Sequence, residues 1–166
     1  PPATATPAPP TLTPAPQQAR VTIEDFQLNS QALAGNLLGD PTERPVQVLL
    51  PPGYADSQER YPVVYYLHGT GGRESSSREF AWAVKQGIAD GAIDEVIYIF
   101  PNGGHDCGYR DWDDGSVMAE TWIIKELIPH IDSTYRTIAS RTGMSMRMAN
   151  GSTCRPTFSG PFHSAP

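Results

Sequence analysis

The chain has 166 residues, 39% of them hydrophobic, with 12 Lys+Arg against 18 Asp+Glu and a formal charge of −6. That length fits one domain, and a pI near 5.1 argues against a nucleic-acid binder, which shows a basic footprint. No apolar run approaches the roughly 20 residues needed to span a bilayer, and the two cysteines, Cys107 and Cys154, leave the redox compartment open.

Residues 1–20 alternate proline with alanine and threonine. Such a tract buries no core and tends toward extended polyproline II, so it is expected to be a linker or tail. A spacer of this kind following an export signal or upstream module would place the protein outside the cell or in the periplasm. The chain opens on Pro1 without a signal-peptide pattern, which reads as a processed product or a fragment.

Val21 to Leu28 alternates apolar and polar residues imperfectly, which predicts an antiparallel first strand. Val46 to Leu50 predicts a second, ended by Pro51-Pro52-Gly53 because successive prolines cannot donate to a ladder. Tyr61 to Gly72, YPVVYYLHGTGG, is the stretch around which the chain is organised. Val63 to Leu67 shows no polar alternation, which suits a parallel strand covered on both faces. Phe80, Trp82, Ala83, Val84, Gly87 and Ile88 recur at helical spacing, and Glu95 to Phe100 is another short apolar strand. Strand, helix and strand within about forty residues make a βαβ unit with a parallel pair. Met118, Trp122, Ile123, Leu127 and Ile131 then trace one face of a second helix, in whose last turn Pro129 is expected to end or bend it. After Ile138 the sequence contains no Val, Leu, Ile, Tyr or Trp, so no further strand is predicted.

Gly69-Thr70-Gly71-Gly72 sits where open α/β sheets place their chemistry. A P-loop needs a lysine that does not follow here, and the dinucleotide fingerprint needs a third glycine where this chain has Glu74. The remaining functional reading is an oxyanion-side loop, whose backbone N–H groups face the developing negative oxygen of a tetrahedral intermediate. The alternative is an ordinary tight turn between strand and helix.

The ordered series Val48-Leu49-Leu50-Pro51-Pro52-Gly53-Tyr54, Tyr61 to Gly69, Phe100-Pro101-Asn102-Gly103, Glu120-Thr121, Glu126 to Asp132 and Tyr135-Arg136-Thr137 resembles the esterase branch of the α/β-hydrolases that includes esterase D and the feruloyl esterases. The resemblance runs from about Val21 to Arg141. It implies a three-layer sandwich with a mostly parallel sheet, truncated after the nucleophile region. Residues 21–141 would form the N-terminal part of the esterase domain, and 142–166 an atypical tail, disordered or frame-altered. It further implies Ser145 as catalytic nucleophile, Gly69, Thr70, Gly71 and Gly72 as the oxyanion-side loop, and no cofactor or metal. The partner implied is a small-molecule or polysaccharide-linked ester, plausibly a feruloyl or acetyl ester, with no nucleic acid. Oligomeric state is left open. The alternative is a non-catalytic binding or cell-surface module on the same scaffold.

Three features depart from that pattern. The family's G-x-S-x-G elbow appears as Gly143-Met144-Ser145-Met146-Arg147, with arginine in place of the last glycine. Only Thr142 separates Arg141 from Gly143, where an apolar strand is expected. No Asp or Glu follows Asp132, and His163 is the only later histidine, whereas the triad runs Ser, acid, His in this fold. His68 is read as a packing residue beside the turn. His105, Asp106 and Cys107 are consecutive, a poor arrangement for one ion, and Asp111 to Gly115 lacks calcium-loop spacing.

Overall fold

Residues 21–69, 77–104, 109–140 and 144–148 are described by a computed structural model. Their strands are β1 (Thr22–Asn29), β2 (Glu43–Leu50), β3 (Val63–Leu67), β4 (Ile97–Pro101) and β5 (Met144–Met148). All five belong to one sheet in the order β1-β2-β4-β3-β5. β1 is an antiparallel edge strand, largely exposed, and its charged Glu24 and Asp25 discourage pairing with other chains. β2 begins three residues before the apolar run that predicts it, because Glu43, Arg44 and Pro45 pair with Asn29, Leu28 and Gln27 of β1.

The predicted βαβ unit is formed. Helix α1 (Ser77–Ala89) connects β3 to β4, and the two strands pair in parallel with Val63, Val64 and Tyr65 opposite Ile97, Tyr98 and Ile99. Every residue of β4 is buried, as expected of a strand covered on both faces. On one face Val46, Val48, Leu50, Val63, Tyr65, Leu67, Ile97 and Ile99 pack with Trp122, Ile123, Leu127 and Ile131. On the other, Leu49, Tyr98 and Phe100 pack with Val84, Phe80 and Ile88 of α1. Helices on both sides of a mixed sheet give the three layers.

The second helix, α2, runs as α (Ala119–Thr121), π (Trp122–Leu127) and α again (Ile128–Thr134). Pro129 does not end it as expected. The Ile128 N–H donates to the Ile123 carbonyl, five residues back, and this wider turn precedes the proline. Proline breaks a helix through its missing donor and its clash with an earlier carbonyl. A π turn already shifts that ladder, so the helix continues to Thr134.

The tail also departs from expectation. No strand is predicted after Ile138, yet Met144–Met148 pairs in parallel with β3, residue for residue from Val63 to Leu67. Without it, the outer edge of β3 would leave its backbone donors and acceptors unpaired. Met144, Met146 and Met148 give the tail its only period-two apolar pattern, and strand pairing is carried by the backbone, so β-branched residues are not required.

Leu127 is fully buried in the α2-side core, while Trp82 on α1 is 70% exposed. Leu127→Ala is expected to lower the unfolding free energy by about 2–5 kcal/mol, and Trp82→Ala to change it by less than ~0.5 kcal/mol. Urea denaturation of both variants checks the core assignment.

Candidate active site at the carboxyl ends of β3 and β4

β3 ends at Leu67 and delivers His68 and Gly69. His68 is 3% exposed, and both ring nitrogens are engaged. Gly103 N–H donates to Nε2 at 3.0 Å, which makes Nε2 the acceptor. Nδ1 therefore carries the proton and donates to the Gly69 carbonyl at 2.9 Å. One neutral tautomer satisfies both bonds. The ring thus ties the turn after β3 to the turn after β4, and it has no free nitrogen for general-base work. Its packing role is stronger than a mere space-filler's.

Tyr109 closes the other side of this clamp, edge-on to His68 with ring centroids 5.7 Å apart. A Cβ at Gly103 would run into the Tyr109 ring, which explains glycine there. Gly104 has φ +92°, and a Cβ would meet Asp40 Oδ2 and the Arg44 guanidinium. Arg44 is 5% exposed, pairs with Asp40 at 3.1 Å, and lies over the Trp122 ring at 6.0 Å. A buried cation is tolerable only when paired. Asn36 holds the Asp40 side of the pair in place, bonding the backbone N–H of Asp40 at 3.0 Å and its carbonyl at 2.8 Å. The Asn102-Gly103-Gly104 turn is thereby held from both sides.

The loop from Tyr109 to Met118 is equally fixed. Asp111 accepts hydrogen bonds from Thr121 N–H at 3.0 Å and from its hydroxyl at 2.6 Å, satisfying an otherwise orphaned donor at the start of α2. Trp112 N–H donates to Val117 O at 2.8 Å, and Gly115 N–H to Trp112 O at 2.9 Å. Gly115 at φ +74° takes the left-handed conformation that this tight return requires. Hydrogen bonds from Ser116 hold the Asp114 carboxyl below the usual range. Partial burial and the nearby Asp111 raise that of Glu120, against a smaller opposing effect of Arg110.

The predicted site residues fall in different places. Gly69 stands at the carboxyl end of β3, where an oxyanion-side turn should begin. Thr70, Gly71 and Gly72 lie outside the described residues, as do His105, Asp106, Cys107 and His163. Ser145 lies inside β5 opposite Val64, not at a strand-to-helix elbow. Gly69 is five residues beyond Val64, so at 3.3 Å per residue Ser145 stands about 16 Å behind it along the sheet. The physical reason is register: the elbow position would draw Ser140 to Met144 into the strand, whereas the observed pairing places the alternating methionines there instead. Among the described residues, no group of three His, Cys, Asp or Glu side chains is arranged to hold a metal ion. Arg44 and Tyr109 were missed by the sequence reading. The Gly103-Gly104 pair was the available signal, since adjacent glycines mark backbone approached closely on both sides.

Two outcomes check this geometry. His68→Phe keeps a ring but removes both nitrogens, leaving the part-buried Gly103 N–H without its acceptor. Stability is expected to fall by about 1–3 kcal/mol, with faster hydrogen exchange at the Gly103 amide. Glu120 has a raised folded-state pKa, so its charged form disfavours the fold and its contribution is lost as pH rises through that value. Glu120→Gln should therefore raise the melting temperature modestly at neutral pH, and the gain should vanish below the ordinary glutamate pKa. A gain that persists in acid would refute the electrostatic cause.

The family model described as "Putative esterase" matches residues 40–149, more than half of the chain. An esterase of Mycobacterium tuberculosis is 32% identical over 111 residues, which cover 61% of this chain and 22% of the relative. An endo-1,4-beta-xylanase/feruloyl esterase of Xylanibacter ruminicola is 36% identical over 114 residues, 60% of this chain and 15% of the relative. Among solved structures, a ferulic acid esterase superposes with a TM-score of 0.67 at 24% identity, covering 78% of this chain and 49% of that one. The ferulic acid esterase of Anaeromyces mucronatus, solved with ferulic acid, gives 0.60 at 24% identity, covering 82% and 51%. The chain thus spans under a quarter of these curated relatives and about half of the solved ones. By its matched residues it belongs to the "Putative esterase" family, and by its layers and sheet it has part of the α/β-hydrolase fold.

Proposed function

We propose that this chain carries the oxyanion-side part of a serine-dependent carboxylic ester hydrolase, feruloyl- or acetyl-esterase-like in substrate. The observation that carries the reading is the His68-Gly69 turn at the carboxyl end of buried β3, pinned to the Gly103 turn through both imidazole nitrogens. A fixed turn here orients backbone donors before the substrate arrives, and one such donor is worth about 10²–10³ in rate. In the proposed reaction a serine hydroxyl adds to the ester carbonyl and its proton passes to a base. The bond to the alcohol then breaks, and the alcohol takes up that proton. Water repeats the sequence on the acyl-enzyme and releases the carboxylic acid. Substrates on plant polysaccharide are proposed by analogy with the bifunctional Xylanibacter relative, and fold analogy alone warrants little about substrate.

Ser145 is the serine of the family's elbow pattern and the proposed nucleophile. In the observed register of β5 it stands too far behind Gly69 to share one carbonyl with that turn. With no Asp or Glu after Asp132, the chain as it stands is expected to be weakly active or inactive. The same two facts favour, as a second reading, a non-catalytic binding or cell-surface module, with residues 1–20 as an extracellular or periplasmic spacer.

Hydrolysis of p-nitrophenyl acetate separates the two. Turnover above the uncatalysed rate that disappears in Ser145→Ala supports catalysis and requires β5 to occupy the elbow register. Absence of turnover in a cooperatively folded chain supports the module. Turnover unaffected by Ser145→Ala would remove Ser145 from the mechanism.

A further inference from the structure

A groove of about 360 Å³ is lined by Arg110, Trp112, Asp113 and Asp114. It belongs to the loop that follows β4, at the end of the sheet where open α/β folds bind ligands. Its distance from the proposed oxyanion turn is short in contacts: Gly69 bonds His68, His68 packs on Tyr109, and Tyr109 adjoins Arg110. The groove sits at the small end of the ligand-pocket range of ~300–1,000 Å³.

From its lining, we propose that this groove is a subsite for a neutral oligosaccharide, the alcohol side of a glycan ester. This rests on the ester-hydrolase reading above only for the position of the ester, not for the binding itself. The indole of Trp112 offers an apolar plane for the C–H face of a sugar ring. Asp113 and Asp114 accept hydroxyl hydrogens, and Arg110 donates to hydroxyl oxygens. Opposite charges beside one aromatic plane disfavour both alternatives: an anion meets two carboxylates, and a cation meets the guanidinium. A neutral ligand rich in donors and acceptors uses both. The wall is rigid before the ligand arrives, because Trp112 is held by its bonds to Val117 and Gly115, and Asp114 by Ser116. Preorganisation of this kind lowers the ordering cost of binding.

The test titrates the 166-residue chain with xylotetraose and cellotetraose, following the three tryptophan indole N–H resonances by NMR. Binding of either sugar that shifts the Trp112 signal, and weakens at least tenfold in Trp112→Ala, is the expected result. Trp112→Phe, which keeps a ring, should weaken it less, and Asp113→Ala several-fold. If Trp112→Ala does not fold, those two variants decide. Binding of neither sugar, binding indifferent to both Trp112→Phe and Asp113→Ala, or preferential binding of tetramethylammonium would overturn the proposal. Parallel p-nitrophenyl acetate hydrolysis separates this proposal from the preceding one. Sugar binding without turnover leaves the subsite standing, and turnover without sugar binding removes it alone.

Discussion

The parallel pairing of β3 with β4 is the constraint on which the rest depends. Both strands are covered by helices, so each must present apolar residues to both faces, and each must find backbone partners on both sides. β4 finds β2 and β3, and β3 finds β4 and β5. Two strands running the same way also end on the same side of the sheet, which brings the Gly69 turn and the Gly103 turn together. His68 exploits that proximity. With one proton it satisfies a carbonyl on its own turn and an N–H on the other, so the geometry of the two turns is fixed jointly.

Around that clamp the packing is unusually polar for a buried region. Arg44 and Asp40 press on Gly104 from the β2 side, while Tyr109 presses on Gly103 from the loop side. Neither contact leaves room for a side chain, so two glycines are demanded by crowding rather than by flexibility. The ion pair stabilises little by itself, since desolvation offsets much of the attraction. Its effect is positional: an arginine held over Trp122 links the first loop to α2 and holds the turn from behind.

The same scaffold explains how family membership and doubtful chemistry coexist in one chain. The oxyanion side is built from β3, β4 and their turns, all of which match the family pattern. The nucleophile side depends on the register of one edge strand. A parallel strand with weak side-chain preferences can pair in more than one register without losing backbone bonds. Here the alternating methionines occupy the slot opposite Val63 to Leu67, and Ser145 is carried into the strand with them.

The sequence by itself determined the βαβ unit, the place of the Gly69 turn and the family. Continuous apolar runs such as Val63 to Leu67 and Ile97 to Phe100, punctuated by prolines and glycines, are local signals that need no distant partner to be read. It did not disclose β5, the passage of α2 through Pro129, the tautomer of His68, or the roles of Arg44 and Tyr109. Each of these is decided by a group far away in sequence: the unpaired edge of β3, a shifted helical ladder, the Gly103 N–H, and the backbone of a turn. Strand register and hydrogen-bond partnership are properties of two segments at once, so only the tertiary structure settles where Ser145 stands relative to Gly69.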